Sequence, residues 1–222
     1  MGEAIGAMLT SAAGIAISPL PLVAVVLILA TPKGRANGIA FTAGWVVALA
    51  GVVAVVVAAG SSMTPGTEKP TWAYWLQLGL GVLFVLMAVK QWRGRPRAGR
   101  DVAPPGWMRA IDRFTAARAA GLAVVLVAAN PKNLVLSVAG AVSIATSDAG
   151  AGGKAVAAAL MVLIGSLCTL LPLGVYLLGG DRAGRVLAEW KEWMAAHNAA
   201  IMTTVLVVLG AKYIGDALTG LA

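Results

Sequence analysis

Carboxylates are the scarcest chemistry in this chain. Nine Asp and Glu stand against seventeen Lys and Arg, and none of the nine falls in the middle of an apolar run. That excludes a cation site built of intramembrane carboxylates, and with it a carboxylate proton relay. It argues against cationic cargo. Cysteine is nearly absent too: Cys168 is the only one. A lone thiol closes no internal disulfide, so a membrane thiol relay would need a partner to supply the second cysteine. The single histidine, His197, stands at the edge of the last apolar run and cannot by itself supply the ligands of a metal centre. No nucleophile is paired with a base, and no Gly-rich phosphate loop follows a strand. The expectation is a protein that is not an enzyme and holds no cofactor and no metal.

What is abundant is hydrocarbon. Apolar residues make up 59% of the 222 positions and charged ones only 12%, with a mean hydropathy of +0.87. Several runs reach the roughly 20 residues that cross about 30 Å of bilayer core. Hydropathy predicts an all-α polytopic membrane protein with six transmembrane helices, over residues 3–30, 37–60, 71–90, 118–146, 154–179 and 198–219. The first run lacks a basic leader, carries Glu3, and continues for ten residues past Pro21, so it is kept as a span and not as a signal peptide. The net charge of +8 sits in short loops, as orientation and lipid contact demand, and no nucleic acid is expected. Loops one, three and five hold thirteen Lys and Arg; loops two and four hold only Lys69 and Lys154. The odd loops therefore face the cytoplasm and both termini lie outside.

Two of the six runs are interrupted at matching places, by Ser18-Pro19-Leu20-Pro21 and by Asn130-Pro131-Lys132-Asn133. Proline removes a backbone donor, and the groups freed by a break must face protein or a wet cavity. Interrupted segments at corresponding positions in two halves of a chain point to a transporter's binding site. With three spans per half, residues 3–90 and 118–219 form an inverted repeat within a single membrane domain, 1–222. Pro19 aligns with Pro131 and Pro21 with Asn133.

Lys132 is the most informative residue. It lies too deep to reach the interface easily, and a central ammonium costs at least about 2.5 kcal/mol on insertion scales. With no carboxylate nearby in the sequence, its partners are the carbonyls of the broken helix, Ser18, Asn130 or Asn133, water, or an anionic ligand. The substrate-binding set is therefore Ser18, Pro19, Pro21, Asn130, Pro131, Lys132 and Asn133. Ser18 is expected to cap the half-helix that follows it, which turns a positive dipole end toward an anion.

The third loop, 91–117, is the one sizeable hydrophilic segment. Arg93, Arg95, Arg97 and Arg100 lie in a stretch rich in Arg, Gly and Pro. Trp107, Ile111 and Phe114 then stand opposite Arg109 and Arg113, as in a short interfacial helix. The fifth loop repeats the device with Val186, Trp190, Trp193 and His197. Both segments read either as anchors that fix loop depth or, for the basic third loop, as a contact for anionic lipid headgroups. Ala40, Gly44 and Ala48, four apart, offer a close helix contact in lipid.

These motifs carry a resemblance. Ile17 to Leu22, the basic turn from Thr31 to Gly38, Phe41-Thr42-Ala43-Gly44-Trp45 and Asn130 to Leu134 resemble the GAP family of glycopeptidolipid- and sulfolipid-addressing proteins, within the lysine exporter (LysE) superfamily. The resemblance covers essentially the whole chain. It implies a six-helix inner-membrane protein of actinobacteria needed to move complex lipids toward the cell surface, and the superfamily implies export by two inverted repeats. Together these readings predict a transporter that exports or flips an anionic (glyco)lipid or small anionic metabolite. The alternatives are a scaffold for lipid-synthesis or export machinery, and an exporter of small solutes such as amino acids or ions. Expected partners are membrane lipids and the substrate, with a homodimer and contact with lipid-export machinery both compatible with the sequence.

Overall fold

The computed structural model describes residues 2–60, 71–94 and 111–221, and every regular element among them is helical. The first run is split into α1 (Gly2–Ala16) and α2 (Pro19–Leu29), bent by 48°. A tight turn leads into α3 (Gly34–Gly60), where a Cβ on Gly34 would collide with the Leu29 carbonyl. α4 (Thr71–Arg93) is a helix over the residues expected as the third span, 71–90, but is not among the helices long and apolar enough to count as a crossing. After a 3-10 turn, Ile111–Arg113, come α5 (Ala116–Ala128) and α6 (Pro131–Ala145), bent by 68°. α7 (Ala151–Gly165) and α8 (Leu167–Leu178) follow, bent by 59°, and a second 3-10 turn, Gly180–Arg182, opens the long α9 (Ala183–Leu221).

By length and composition, α3 and the stretch Ala196–Leu221 can each cross a membrane unaided, and counting each bent pair as one span gives up to five. The chain is thus a helical membrane protein. Two expectations need correction. The predicted fifth span, 154–179, is not one helix: it breaks at Ser166. Gly165 is pressed between Leu49 and Ile15, with no room for a Cβ. Side-chain donors take up carbonyls at the break. Trp45 Nε1 donates to the Gly165 carbonyl at 3.3 Å and Thr169 Oγ1 to that of Ser166 at 3.0 Å. Second, the expected interfacial segment 186–197 and the expected sixth span are one continuous helix, because neither Gly nor Pro occurs between Arg185 and Leu209 to stop it. The interfacial helix expected in the third loop lies mostly outside the described residues, which hold only its 3-10 turn Ile111–Arg113.

The helices form two compact units. In the first, α3 is central and packs against α2, α5, α6, α7 and α8, while α1 packs on α6 and α7. Asn37, almost fully buried, donates from Nδ2 to the Phe114 carbonyl at 2.9 Å and ties the start of α3 to the segment entering α5. The closest approach of α3 and α5 is at Gly44, where a Cβ would stand 2.8 Å from the Ala120 carbonyl oxygen, as the small-residue spacing predicts. Gly44→Val is therefore expected to cost about 1–3 kcal/mol through overpacking. Gly51→Val, seven residues on with nothing within 4 Å, should leave thermal unfolding in detergent unchanged. Equal midpoints for the two variants would contradict this packing.

The second unit pairs α4 with the part of α9 from Met194 onward. A Cβ on Gly81 or on Gly210 would lie 3.0 Å from the other's carbonyl oxygen, so the two backbones run in close contact. Phe84 and Tyr213 meet edge to face with centroids 5.8 Å apart. Gln77 Nε2 donates to Asp216 at 3.3 Å, and Lys212 pairs with the same carboxylate at 2.5 Å.

Candidate functional site

The two proline motifs build the site from backbone upward. Ser18 (φ −95°, ψ 111°) and Asn130 (φ −82°, ψ 111°) are both extended, and each precedes a proline at the first position of a half-helix. Proline suits that position because its missing N–H would have had no intrahelical partner. Pro19 and Pro21 together remove two donors from the opening turn of α2, where lipid offers no acceptor. Both are buried.

The caps then diverge. Asn130 behaves as a cap: its Oδ1 accepts from the Lys132 backbone N–H at 3.1 Å. Ser18 occupies the equivalent place without capping its own helix. Its hydroxyl reaches across 115 residues of sequence to donate to Asn133 Oδ1 at 2.9 Å, and it accepts from Lys132 Nζ at 2.8 Å. Asn133 in turn donates from Nδ2 to the Leu126 carbonyl at 3.2 Å, satisfying a group at the end of α5 that the break leaves open. Ser137 Oγ closes the chain by donating to the Asn133 carbonyl at 2.7 Å.

Lys132 is 1% exposed, Asn133 and Ser137 are fully buried, and Ser18 is 2% exposed. Among the described residues no carboxylate pairs with the Lys132 ammonium, which has Ser18 Oγ as its acceptor. Cys168, at the third break, is buried and donates from Sγ to the Gly165 carbonyl at 3.6 Å. The beginnings of α2 and α6 thus meet head to head at a buried cation. Each helix start carries roughly half a positive charge and the helix end before it a like negative one, so the net charge of the locus is that of the ammonium, which meets no carboxylate among the described residues. Among the described residues no three His, Cys, Asp or Glu gather to hold a metal.

Of the seven residues expected here, Ser18, Lys132 and Asn133 form the cluster, Pro19 and Pro21 shape the start of α2, and Asn130 caps α6. Pro131 is exposed, between half-buried Asn130 and buried Lys132. Sequence reasoning missed Ser137, Trp45 and the Gly165–Thr169 break; Gly165-Ser166 with Pro172 downstream was the available signal. Of the residues expected at the lipid interface, Arg93 is exposed in the last turn of α4, where a cation suits the helix dipole, and Arg113 is exposed on the 3-10 turn. Arg95, Arg97, Arg100, Trp107 and Arg109 lie outside the described residues.

The profile of one protein family, described as Sap, sulfolipid-1-addressing protein, matches residues 8–219. The chain belongs to that family. Membership makes it a member of a sulfolipid-addressing group of membrane proteins, in accord with the resemblance carried by the two proline motifs. The match runs from α1 through most of α9, so all three breaks in this sulfolipid-1-addressing family member lie inside it. No curated protein and no solved structure matches the chain.

Proposed function

We propose that the protein exports or flips an anionic lipid or a small anionic metabolite across the inner membrane, recognising the anionic group at Lys132. One observation carries the reading: a buried ammonium, held by a serine hydroxyl, stands where two half-helices begin, with no carboxylate of the described residues to neutralise it. A permanent structural lysine would be expected to bring its counter-ion, since an unpaired charge at that depth is costly. A cargo that supplies the counter-ion removes the conflict.

In this reading α4 is a further span, making six, with both termini outside. The two halves are related by an inverted repeat and rock against each other about the site. The matching backbone angles at Ser18 and Asn130, each followed by a first-turn proline, support that relation. The cargo's anion takes the place of the Ser18 hydroxyl, or joins it, at the Lys132 ammonium. Chemistry on the cargo is not part of the proposal.

Movement in reconstituted vesicles tests it. Wild-type protein should move an anionic lipid or small anion, and removal of Lys132 should stop it. If wild type moves neither, and neutralising Arg93, Arg95, Arg97 and Arg100 alone disables lipid delivery in cells, the protein is a scaffold and the proposal fails.

A further inference from the structure

A groove of about 500 Å³ lies between α3 and the α7–α8 pair. Val46, Ala50 and Ala54 line it from α3, and Val162 and Leu163 from α7. These walls are aliphatic, and most of the side chains are small. They belong to segments long and apolar enough to cross a membrane, with α7–α8 taken as one bent span, and in the proposed arrangement the medium outside the groove is hydrocarbon.

The lining has one polar member, Ser166, at the α7–α8 break. Ser166 is fully buried, and its Oγ has no hydrogen-bond partner among the described residues. A second buried hydroxyl without a partner, Thr42 Oγ1, sits on α3 one turn before Val46 and on the same stripe as Val46, Ala50 and Ala54. A buried hydroxyl left unmatched is unfavourable, and hydrocarbon cannot satisfy it. The occupant that answers both features is apolar along its length and carries an oxygen acceptor at one end. A hydrocarbon chain alone lacks the oxygen, and a small anion leaves the aliphatic walls unused.

The polar end of the groove lies on the side of the bundle that holds the cationic cluster. Gly165, next to Ser166, packs against Ile15, three residues before Ser18, and α8 packs on α2, which begins at the cluster. We propose that the groove holds an acyl chain of the transported lipid, with its ester or carboxyl oxygen accepting from Ser166 Oγ and its anionic headgroup at Lys132. This rests on the anion-transport reading and narrows its cargo to lipid. The α7–α8 break acquires a role that the α1–α2 and α5–α6 breaks do not fill, since it sets an unpartnered buried hydroxyl at the floor of the groove.

The test uses full-length protein in phosphatidylcholine vesicles doped with a phosphatidic acid whose acyl chain bears a photoreactive diazirine. Adducts are mapped by peptide mass spectrometry. In wild type they should concentrate on the α3 and α7 segments that line the groove. Ala54→Phe and Ala159→Phe place a ring at the groove from positions already exposed to the membrane, so folding should be preserved. Each should cut groove adducts at least tenfold and leave total adducts elsewhere unchanged. Ser166→Ala should reduce groove labelling by the phosphatidic acid several-fold, and should not affect labelling by a diazirine alkane that lacks oxygen.

Adducts spread evenly over the membrane-facing surface and indifferent to both phenylalanines would overturn the groove, leaving bulk lipid as its only occupant. A change of oligomeric state in the phenylalanine variants, without a change in labelling, would overturn it in favour of a second copy. The two readings fail separately. Lys132-dependent movement of inorganic phosphate with no groove labelling would remove the lipid site and keep the anion transporter. Groove labelling with movement unaffected by Lys132→Met would remove the headgroup assignment, and with it the proposal as stated.

Discussion

Lys132→Met is expected to stop cargo movement and to leave the protein at least as stable as wild type. Methionine has a similar length and no branch, so it can occupy the fully buried space that the lysine stem fills. The substitution removes an ammonium whose acceptor is a neutral hydroxyl, yet strands no neighbour: Ser18 Oγ still donates to Asn133 Oδ1, and Asn133 still reaches the Leu126 carbonyl. Replacing even a buried ion pair by well-packed apolar groups is often neutral or stabilising by about 1–4 kcal/mol, and a lone buried ammonium has no ionic attraction to lose. Loss of one partner from a buried charged contact costs about 2–5 kcal/mol in binding, or roughly 30- to 4,000-fold in affinity. The measurement pairs thermal unfolding in detergent with anion-dependent movement in vesicles. A variant that unfolds at lower temperature and still moves cargo would assign Lys132 to structure.

Ser18→Ala tests the same cluster from its other side, with the opposite effect on stability. The alanine strips the Lys132 ammonium of its acceptor and Asn133 Oδ1 of its donor. Hydrogen bonds to charged groups contribute about 1.5–3 kcal/mol, and an unsatisfied buried partner loses its full desolvation energy. Ser18→Ala alone should therefore destabilise by about that amount or somewhat more. Adding Lys132→Met should recover most of the loss, because the stranded charge is then gone. The coupling in this cycle should be large for residues 114 positions apart, on the order of 1–3 kcal/mol. Strict additivity would mean that the 2.8 Å contact between Nζ and Oγ contributes nothing.

Much of the architecture was legible because the membrane imposes a few severe rules. Apolar run length marked the spans, and a proline within a run marked where it must bend. That logic located the breaks at Ser18–Pro19 and Asn130–Pro131 and singled out Lys132 by the cost of its depth. It failed at Ser166, where hydropathy runs on unbroken. The cause there is tertiary: Leu49 and Ile15 crowd Gly165, and Trp45 from α3 takes its carbonyl. Local capping rules likewise gave Ser18 the wrong partner. A serine before Pro19 resembles a cap, but its hydroxyl is claimed by Asn133 and Lys132; capping rules cannot reach that contact, whereas the cost of a buried ammonium had already named Ser18 among the partners of Lys132. Asn130 obeyed the local rule because nothing distant competes for its oxygen. The separate interfacial segment expected near Trp190 merged into α9, since amphipathic spacing does not end a helix unless a breaker follows.

The most direct test of anion recognition at Lys132 is a comparison of two lipids with identical chains, one with an anionic and one with a neutral headgroup, in vesicles containing the wild-type protein. The account predicts movement of the anionic lipid well above protein-free vesicles and little or none of the neutral one. Equal movement of both would contradict it, because a buried cation with no carboxylate partner among the described residues would then play no part in choosing the cargo.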